Sequence, residues 1–338
     1  MVAPAPLIEA KKSPLASVLD CVFLLRIALL APVWTILLVG WISSRTSAQV
    51  SRGCLSFFCP DASSLYLWLA LAGFSLVVAS IYVVNQIADI ESDRINHKLF
   101  LLPHGYLSLR IAWVLAGACG AAGIASAFFF DATMAALYGA SLLLGFCYNL
   151  PPLNLKNRAW GGVIANIAGH GVLTFLVGWH AGHFPGGEGG EVLLRGFVSS
   201  LSPGAAIAAV FLATTIPDAE GDRLTKKKTF CIRYGEKKTA VASALFCAAS
   251  LLLSLFMENH FWVMAVPSAL SLALFIALAV RANKQAAFHA FKWPVFLLTA
   301  FVVAFVPVYG ILILLTFFGS RAYYRWRFGI EYPTFKTK

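Results

Sequence analysis

Charged residues are scarce in this chain. Asp, Glu, Lys and Arg make up 12% of its 338 residues, 59% are apolar, and the mean hydropathy is +0.78. Soluble domains carry about 25% charged residues, so this composition excludes a soluble globular enzyme and a disordered chain. It also excludes a nucleic-acid-binding module, although the formal net charge is +11. The sequence predicts a multi-pass membrane protein embedded in a lipid bilayer, and its basic excess reflects topology.

The apolar residues are gathered in long runs, none of which alternates with a period of two. Each run is predicted to be helical, because an open sheet could not satisfy its backbone hydrogen bonds in lipid. A membrane-spanning helix needs about 20 largely apolar residues. Nine runs of 18 or more residues lack Asp, Glu, Lys and Arg: 27–44, 62–88, 111–130, 132–155, 159–187, 196–217, 239–257, 259–280 and 293–320. We expect an all-α protein with nine transmembrane helices, forming one domain over residues 1–338 with its core over 20–320.

Lys and Arg are unequally distributed between the loops. With the N-terminus inside, 17 of them fall in inner segments and three, Arg45, Arg52 and Arg195, in outer loops. Because Lys and Arg accumulate on the cytoplasmic side, this count supports that orientation. Five more, from Arg321 to Lys338, form a tail that nine crossings would place outside, against the rule. Either the last run does not fully cross, or the late tail escapes the bias set by earlier loops.

The seven cysteines do not indicate a disulfide framework. Four sit in or beside apolar runs, where cysteine behaves as a small apolar residue. Cys231 lies in a basic inner loop. Cys54 and Cys59 share the first outer loop and would pair if that side is oxidising, a question the sequence leaves open.

Acidic residues are concentrated in two short windows. Six of the 15 Asp and Glu residues fall in them, and both windows read D-x-E-x-D-R, at 89–94 and 218–223. Each window follows a long apolar run and opens a basic inner loop. The apolar runs before the two windows are the second and the sixth of the nine, so the pattern recurs four runs later, which indicates an internal repeat.

The spacing within these windows suggests a metal-diphosphate site. Residues four apart lie on the same face of a helix, so each aspartate pair points at one place. Magnesium takes oxygen ligands, usually one or two carboxylates together with waters and substrate phosphates. A solvated acidic loop is the alternative for either window alone, but acidic residues at a helix C-terminus oppose its dipole. Natural phosphate partners follow on the same side: Arg94, Lys98, Lys156, Arg158, Arg223 and Lys226 to Lys228.

These motifs resemble those of a known family. Asn85-x-x-x-Asp89-x-x-x-Asp93 and Asp218-x-x-x-Asp222 look like the two Asp-rich motifs of the UbiA superfamily of intramembrane prenyltransferases. The resemblance extends to further residues of the inner loops: Asn96, Leu102 to Gly105, Tyr148 to Lys156, Glu220 to Arg223, Lys228 with Thr229, and Arg233 to Gly235. The Tyr148 segment is most similar to the chlorophyll synthase and archaeal lipid synthase branches, in particular geranylgeranylglyceryl phosphate synthases.

The resemblance implies a nine-helix fold around a central cavity and transfer of a prenyl group from a polyprenyl diphosphate to an acceptor. The acceptor class, whether aromatic, quinone-precursor or lipid-like, stays open. Loss of pyrophosphate leaves an allylic carbocation. Mg²⁺ and basic residues would assist this loss by stabilising the leaving group. The implied catalytic and metal-binding residues are Asp89, Asp93, Asp218 and Asp222. The implied substrate-binding residues are Asn85, Arg94, Lys98, Tyr148, Lys156, Arg158 and Arg223.

Some polar residues are given a structural interpretation. We expect Arg26 to snorkel to the inner headgroups, with contact to the substrate as the alternative, and His170 to be a buried histidine that takes no part in catalysis. A bacterial or archaeal cell membrane with the site facing the cytoplasm is the predicted location. The rival function is a secondary transporter with acidic coupling sites, but transporter carboxylates normally lie near the midplane.

Overall fold

The computed structural model describes residues 13–46, 62–95, 101–186 and 190–333, and within them the chain is almost entirely helical, with short turns between the helices. An isolated parallel bridge pairs Arg158 with Lys228. The prediction of an all-α protein is confirmed. Lys98, and the proposed pair Cys54 and Cys59, lie outside the described residues.

The described α-helices are numbered here in chain order. They are α1 Pro14–Leu24, α2 Leu30–Ser43, α3 Ala62–Ala88, α4 Ile90–Ile95, α5 Leu109–Ser126, α6 Ala132–Asn149, α7 Ala159–Asn166, α8 Thr174–His183, α9 Gly190–Leu224, α10 Phe230–Tyr234, α11 Glu236–Ser254, α12 Trp262–Arg281, α13 Lys284–Phe305 and α14 Pro307–Phe328. A π-helical segment, Ile167–Leu173, joins α7 to α8.

Eight helical segments in the described ranges are long and apolar enough to cross a membrane, so a count of nine is not confirmed. They are Pro14–Ser43, Leu65–Ala88, Leu109–Phe129, Ala159–His183, Gly190–Leu224, Glu236–Ser254, Trp262–Arg281 and Lys284–Phe305. The predicted run 132–155 contains α6, which ends at Asn149, before Pro151 and Pro152. Neither α6 nor α14 is among the eight.

The last apolar run, 293–320, is divided between two helices rather than forming one. α13 ends at Phe305 and α14 begins at Pro307. Proline has no backbone N–H and its ring disfavours helical backbone in the residue before it. Val306 accordingly leaves the helical region, at φ −128° and ψ 77°.

The end of α14 lies at the same end of the bundle as the first acidic motif. Tyr323, Tyr324 and Phe328 pack in one cluster with Leu24 of α1 and with Val83 and Val84 of α3, and Asp89 follows Val84 by five residues. The basic tail therefore begins on the acidic side, not on the opposite side that nine crossings require. This placement removes the conflict with the bias of Lys and Arg towards one face.

The two helices that carry the acidic motifs continue beyond their apolar parts. α9 has 35 residues, about 52 Å at 1.5 Å per residue, and Asp218 and Asp222 lie in its last two turns. After α3, Asp89 N–H donates to Asn85 O at 3.0 Å, and Asp93 N–H donates to Asp89 O at 2.7 Å. Helical spacing is therefore maintained through both motifs, so each aspartate pair shares a face.

Close packing of α2 against α8 fixes the centre of the bundle. A Cβ at Gly40 would overlap the Phe175 carbonyl oxygen, and a Cβ at Gly178 would overlap that of Leu37. Small residues at such crossings let two backbones approach closely, as is common between membrane helices.

Candidate active site

Asp89 is the centre of a charged cluster that joins distant parts of the chain. Its Oδ2 lies 2.9 Å from Lys156 Nζ, and its Oδ1 lies 3.4 Å from Lys227 Nζ. Burial alone would raise the pKa of Asp89, but the two ammonium groups outweigh burial and hold that pKa below its ordinary value. Asp89 is therefore a carboxylate at neutral pH.

An amide network holds Asp89 in place. Asn85 Nδ2 donates to Asp89 Oδ2 at 3.1 Å and to Asn149 Oδ1 at 2.8 Å. Lys156 Nζ also donates to Asn149 Oδ1, at 3.4 Å. Asn149, at the end of α6, is buried. α3, α6 and the loop that carries Lys156 therefore meet at the first motif.

The loop after the second motif reaches the first motif. Lys226 adopts a left-handed conformation with φ 56°, and Lys227 N–H donates to Asp222 O at 2.9 Å. The Lys227 ammonium then extends to Asp89 and to Ser92 Oγ, 3.4 Å away. The loop that follows the second motif thus contacts the first motif, which supports the prediction of one site for both motifs.

The four aspartates differ in exposure. Asp222 is buried and accepts a hydrogen bond from Thr229 Oγ1 at 3.2 Å. Asp93 is partly buried, whereas Asp218, in the last two turns of α9, is exposed. The site is therefore closed around Asp89 and Asp222 and open at Asp218.

The glutamates of the two windows point away from this cluster. Glu91, with 74% of its side chain exposed, pairs with Arg94 at 2.9 Å. Glu220, with 77% exposed, pairs with Lys284 at 3.0 Å. Their separation from the aspartates follows from the helix, because residues two apart do not share a face.

The predicted cations divide into two groups. Lys156 is in the cluster, whereas Arg94 donates to Pro103 O at 3.3 Å and Arg158 to Pro152 O at 3.3 Å. Arg223 is exposed. Sequence reasoning noted Lys227 only as part of a basic stretch, because its contact depends on the path of the 225–229 loop.

Arg26 contacts Asn85 of the first acidic motif, which favours the alternative of substrate contact over snorkelling to headgroups. Its NH1 donates to Asn85 Oδ1 at 3.4 Å. Arg26 itself has a left-handed backbone, with φ 55° and ψ 47°, and it follows the end of α1 at Leu24 by two residues. No periodicity in the sequence signals such a turn at an arginine.

Tyr148 connects the cluster to an apolar cavity of about 60 Å³. Tyr148 directly precedes Asn149, which binds Asn85 and Lys156 of the cluster. His170 lines the cavity from the π-helical segment, and Gly145 and Asn166 line it from α6 and α7. π-Helical turns occur frequently at functional sites, and here the turn places His170 beside the cavity.

Comparison with known proteins identifies the family. The model of the UbiA prenyltransferase family matches residues 33–300. This chain belongs to the UbiA prenyltransferase family. Membership of a prenyltransferase family gives no support to the transporter alternative.

Relatives in the UbiA family match parts of the chain. Homogentisate phytyltransferase of Synechocystis is 26% identical over 172 residues, 50% of this chain and 54% of the relative. The bacteriochlorophyll synthase 34 kDa chain of Chloroflexus aurantiacus is 32% identical over 120 residues, 35% of this chain and 37% of the relative. The chain spans about half the length, or less, of the curated relatives it matches.

Solved UbiA structures share the fold. A UbiA homologue from Aeropyrum pernix K1 gives a TM-score of 0.66 at 20% identity and covers 84% of this chain and 98% of its own. A homologue from Archaeoglobus fulgidus, bound to DMAPP and Mg²⁺, gives 0.63 at 19% identity and covers 86% and 99%. α1 and α14 lie outside the region that the family model matches.

The side chains of this UbiA family member suit magnesium that arrives with a phosphate ligand. Among the described residues, no three Asp, Glu, His or Cys side chains converge closely enough to form a protein cage for an ion. Asp89 is paired with ammonium groups instead. Magnesium normally takes one or two carboxylates and completes its shell with water and substrate phosphates, and the spread of the four aspartates fits that demand.

Proposed function

We propose that this protein transfers a prenyl group from a polyprenyl diphosphate to an acceptor within the membrane, with Mg²⁺ as the cofactor. The observation that carries the proposal is the contact of Asp89, in the first motif, with Lys156 and with Lys227 from the loop after the second motif. Carboxylates would hold Mg²⁺ and ammonium groups would bind phosphate oxygens, so their proximity suits a diphosphate that arrives with Mg²⁺.

The metal ligands in this proposal are Asp89, Asp93, Asp218 and Asp222. Magnesium bound there would neutralise the charge that grows on the departing pyrophosphate. Lys156 and Lys227, now paired with Asp89, would turn to the phosphate oxygens. Asn85 and Thr229 hold the carboxylates of Asp89 and Asp222 by the hydrogen bonds described above, so these carboxylates are oriented before the substrate binds.

The reaction breaks the allylic C–O bond, and its electron pair leaves with pyrophosphate. The acceptor nucleophile then forms a bond to the allylic carbocation and loses a proton. Water must be excluded because it would quench the cation. Tyr148 and the apolar cavity beside it are the proposed place of this carbon, and ring faces stabilise nearby positive charge.

The acceptor that we propose is a phenolic aromatic ring. Support comes from relatives whose names specify such acceptors: homogentisate phytyltransferase and, in Humulus lupulus, 2-acyl-4-prenylphloroglucinol 6-prenyltransferase, which is 25% identical over 214 residues. Tetrapyrrole and lipid-like acceptors are the alternatives, the former because of the bacteriochlorophyll synthase relative.

The proposed location is a bacterial or archaeal cell membrane with the site on the cytoplasmic face. The family and the eight apolar helices make the protein an integral membrane protein. The side is inferred from the 17 Lys and Arg in the inner segments and three in the outer loops.

Purified protein in detergent micelles tests the proposal. It should release pyrophosphate from labelled prenyl diphosphates only when Mg²⁺ and a suitable acceptor are present, and EDTA should stop the release. The acceptor panel should contain homogentisate, an acylphloroglucinol, a tetrapyrrole acid and a glycerol-phosphate lipid. Absence of any prenylated product across donors of several lengths and all four acceptor classes would contradict the proposal.

A further inference from the structure

We propose that α1 and α14 form a terminal clamp that positions Arg26 for the diphosphate. The clamp is defined by Asp20 and Phe23 of α1 and by Tyr323 and Arg327 of α14. This inference rests on the proposed function. It concerns two helices that lie outside the region matched by the family model.

The clamp is closed by a buried, two-pronged ion pair. Arg327 Nε donates to Asp20 Oδ1 and Arg327 NH2 to Asp20 Oδ2, both at 2.9 Å. Only 1% of Asp20 and 5% of Arg327 is exposed. Tyr323 Oη donates a third hydrogen bond to Asp20 Oδ1, at 2.6 Å. Paired guanidinium–carboxylate bonds restrict orientation more than a single contact does.

Ring stacking adds a second fixed contact next to the ion pair. The rings of Phe23 and Tyr323 are 3.8 Å apart and inclined by 7°. One residue further, Leu24 O accepts a hydrogen bond from Gln86 Nε2 of α3 at 2.7 Å. The end of α1 is therefore held on one side by α14 and on the other by the helix that leads to Asp89.

Arg26 follows directly from this fixed end. Its left-handed backbone is unfavourable for a residue with a Cβ, so the surrounding contacts must impose it. The guanidinium reaches Asn85, which itself binds Asp89. Arg26 Nε is buried and finds no hydrogen-bond partner among the described residues. A donor held in this state beside the acidic motif is available to an incoming anion.

A structural role alone would not require an ion pair at this place. Replacing a buried ion pair by apolar residues is often neutral or stabilising, because desolvation offsets the attraction. What the pair does supply is one rotational setting of α1. A rotation of α1 would carry the guanidinium of Arg26 away from Asn85, so Asp20 and Arg327 are positioning residues that act through Arg26.

Calorimetric titration with magnesium pyrophosphate tests the clamp, since this probe requires neither an acceptor nor turnover. The set comprises the wild type, Asp20→Asn, Arg26→Gln and the double variant, with the melting temperature of each measured in parallel. Each single variant should weaken binding by roughly tenfold, within the loss that misplacing a positioned group causes. The double variant should bind no more weakly than Arg26→Gln, because Asp20 has no route to the ligand once Arg26 is gone.

Arg321→Gln is the matched control. It removes one positive charge from α14 at a pair with Glu331 that is 3.1 Å long and partly exposed, and binding should be unchanged. If Asp20→Asn does not fold, Tyr323→Phe takes its place in the same cycle, since it removes only one hydrogen bond to Asp20. It should weaken binding less, and not at all in the Arg26→Gln background.

Two results would overturn the clamp. One is a double variant whose loss of affinity equals the product of the losses in the two single variants. The other is an Asp20→Asn variant, or its substitute Tyr323→Phe, that binds magnesium pyrophosphate as tightly as the wild type does. Neither result touches the proposed function. If the wild type itself does not bind magnesium pyrophosphate, the proposed diphosphate site is wrong, and the clamp falls with it.

Discussion

At the scale of single residues, the site depends on which charges actually meet. The sequence contains several cations on one side of the membrane; among the described residues, which do not include Lys98, those paired with Asp89 are Lys156 and Lys227. Arg94 and Arg158 bind backbone carbonyls instead. The number of these cations could be counted from the sequence, whereas the groups that each cation contacts depend on the conformation of the loops.

Lys227→Gln should raise the KM for the prenyl diphosphate while the protein remains folded. The change removes the one ammonium group that connects the second motif's loop to Asp89, and hydrogen bonds to charged groups contribute about 1.5–3 kcal/mol, so an increase of at least tenfold is expected. Steady-state kinetics of the donor measures it. Lys226→Gln is the control, because Lys226 is exposed on the same loop. Equal effects of the two changes would show that only the net charge matters.

The pKa of Asp89 makes a prediction about acid stability. Because this pKa is lowered in the folded protein, Asp89 stabilises the fold above the ordinary carboxyl range near about 3.9. That stabilisation is lost as the pH falls through the lowered pKa. Melting temperatures between pH 3 and pH 7 should therefore decline on the acid side more steeply for the wild type than for Asp89→Asn. Parallel curves would contradict the charged pairs at Asp89.

At the scale of elements, the sequence predicted most helices but not the end of the chain. Runs without charge place helices well, because charge in the hydrocarbon is costly. The same criterion could not divide 293–320, since the break at Val306 and Pro307 involves no charged residue. The left-handed turn at Arg26 could not be predicted from the sequence either, because contacts with distant helices impose it.

The end of α14 lies at the same end of the bundle as the first acidic motif, and this placement predicts which introduced cysteines a thiol reagent can reach. In a background without native cysteines, Ser108→Cys and Arg325→Cys should both resist a membrane-impermeant thiol reagent added to sealed cells. Both positions are exposed at the acidic end of the bundle. Gly190→Cys, at the opposite end of α9, should react, and a Cβ there meets no atom within 4 Å. Labelling of Arg325→Cys from outside would contradict the placement of the tail.

At the scale of the whole molecule, the loop after the second acidic motif reaches the first motif, more than a hundred residues earlier in the chain. The repeat of D-x-E-x-D-R after two apolar helices predicts that both motifs lie at the same membrane face, and the contact of Lys227 with Asp89 is consistent with that prediction. What the sequence could not supply was how the motifs connect. That connection consists of a left-handed turn at Lys226, the reach of Lys227, and Asn149 packed beneath Asn85.

The contrast between aspartate and glutamate variants tests the central claim most directly. The measurement is formation of prenylated product by Asp89→Asn, Asp218→Asn, Glu91→Gln and Glu220→Gln, each confirmed as folded. The aspartate variants should lose activity by about 100-fold or more, since a lost ligand typically costs roughly 10–100-fold and these carry the charge. The glutamate variants should stay close to the wild type, because their side chains are exposed and paired elsewhere. Active aspartate variants with inactive glutamate variants would contradict the four-aspartate site.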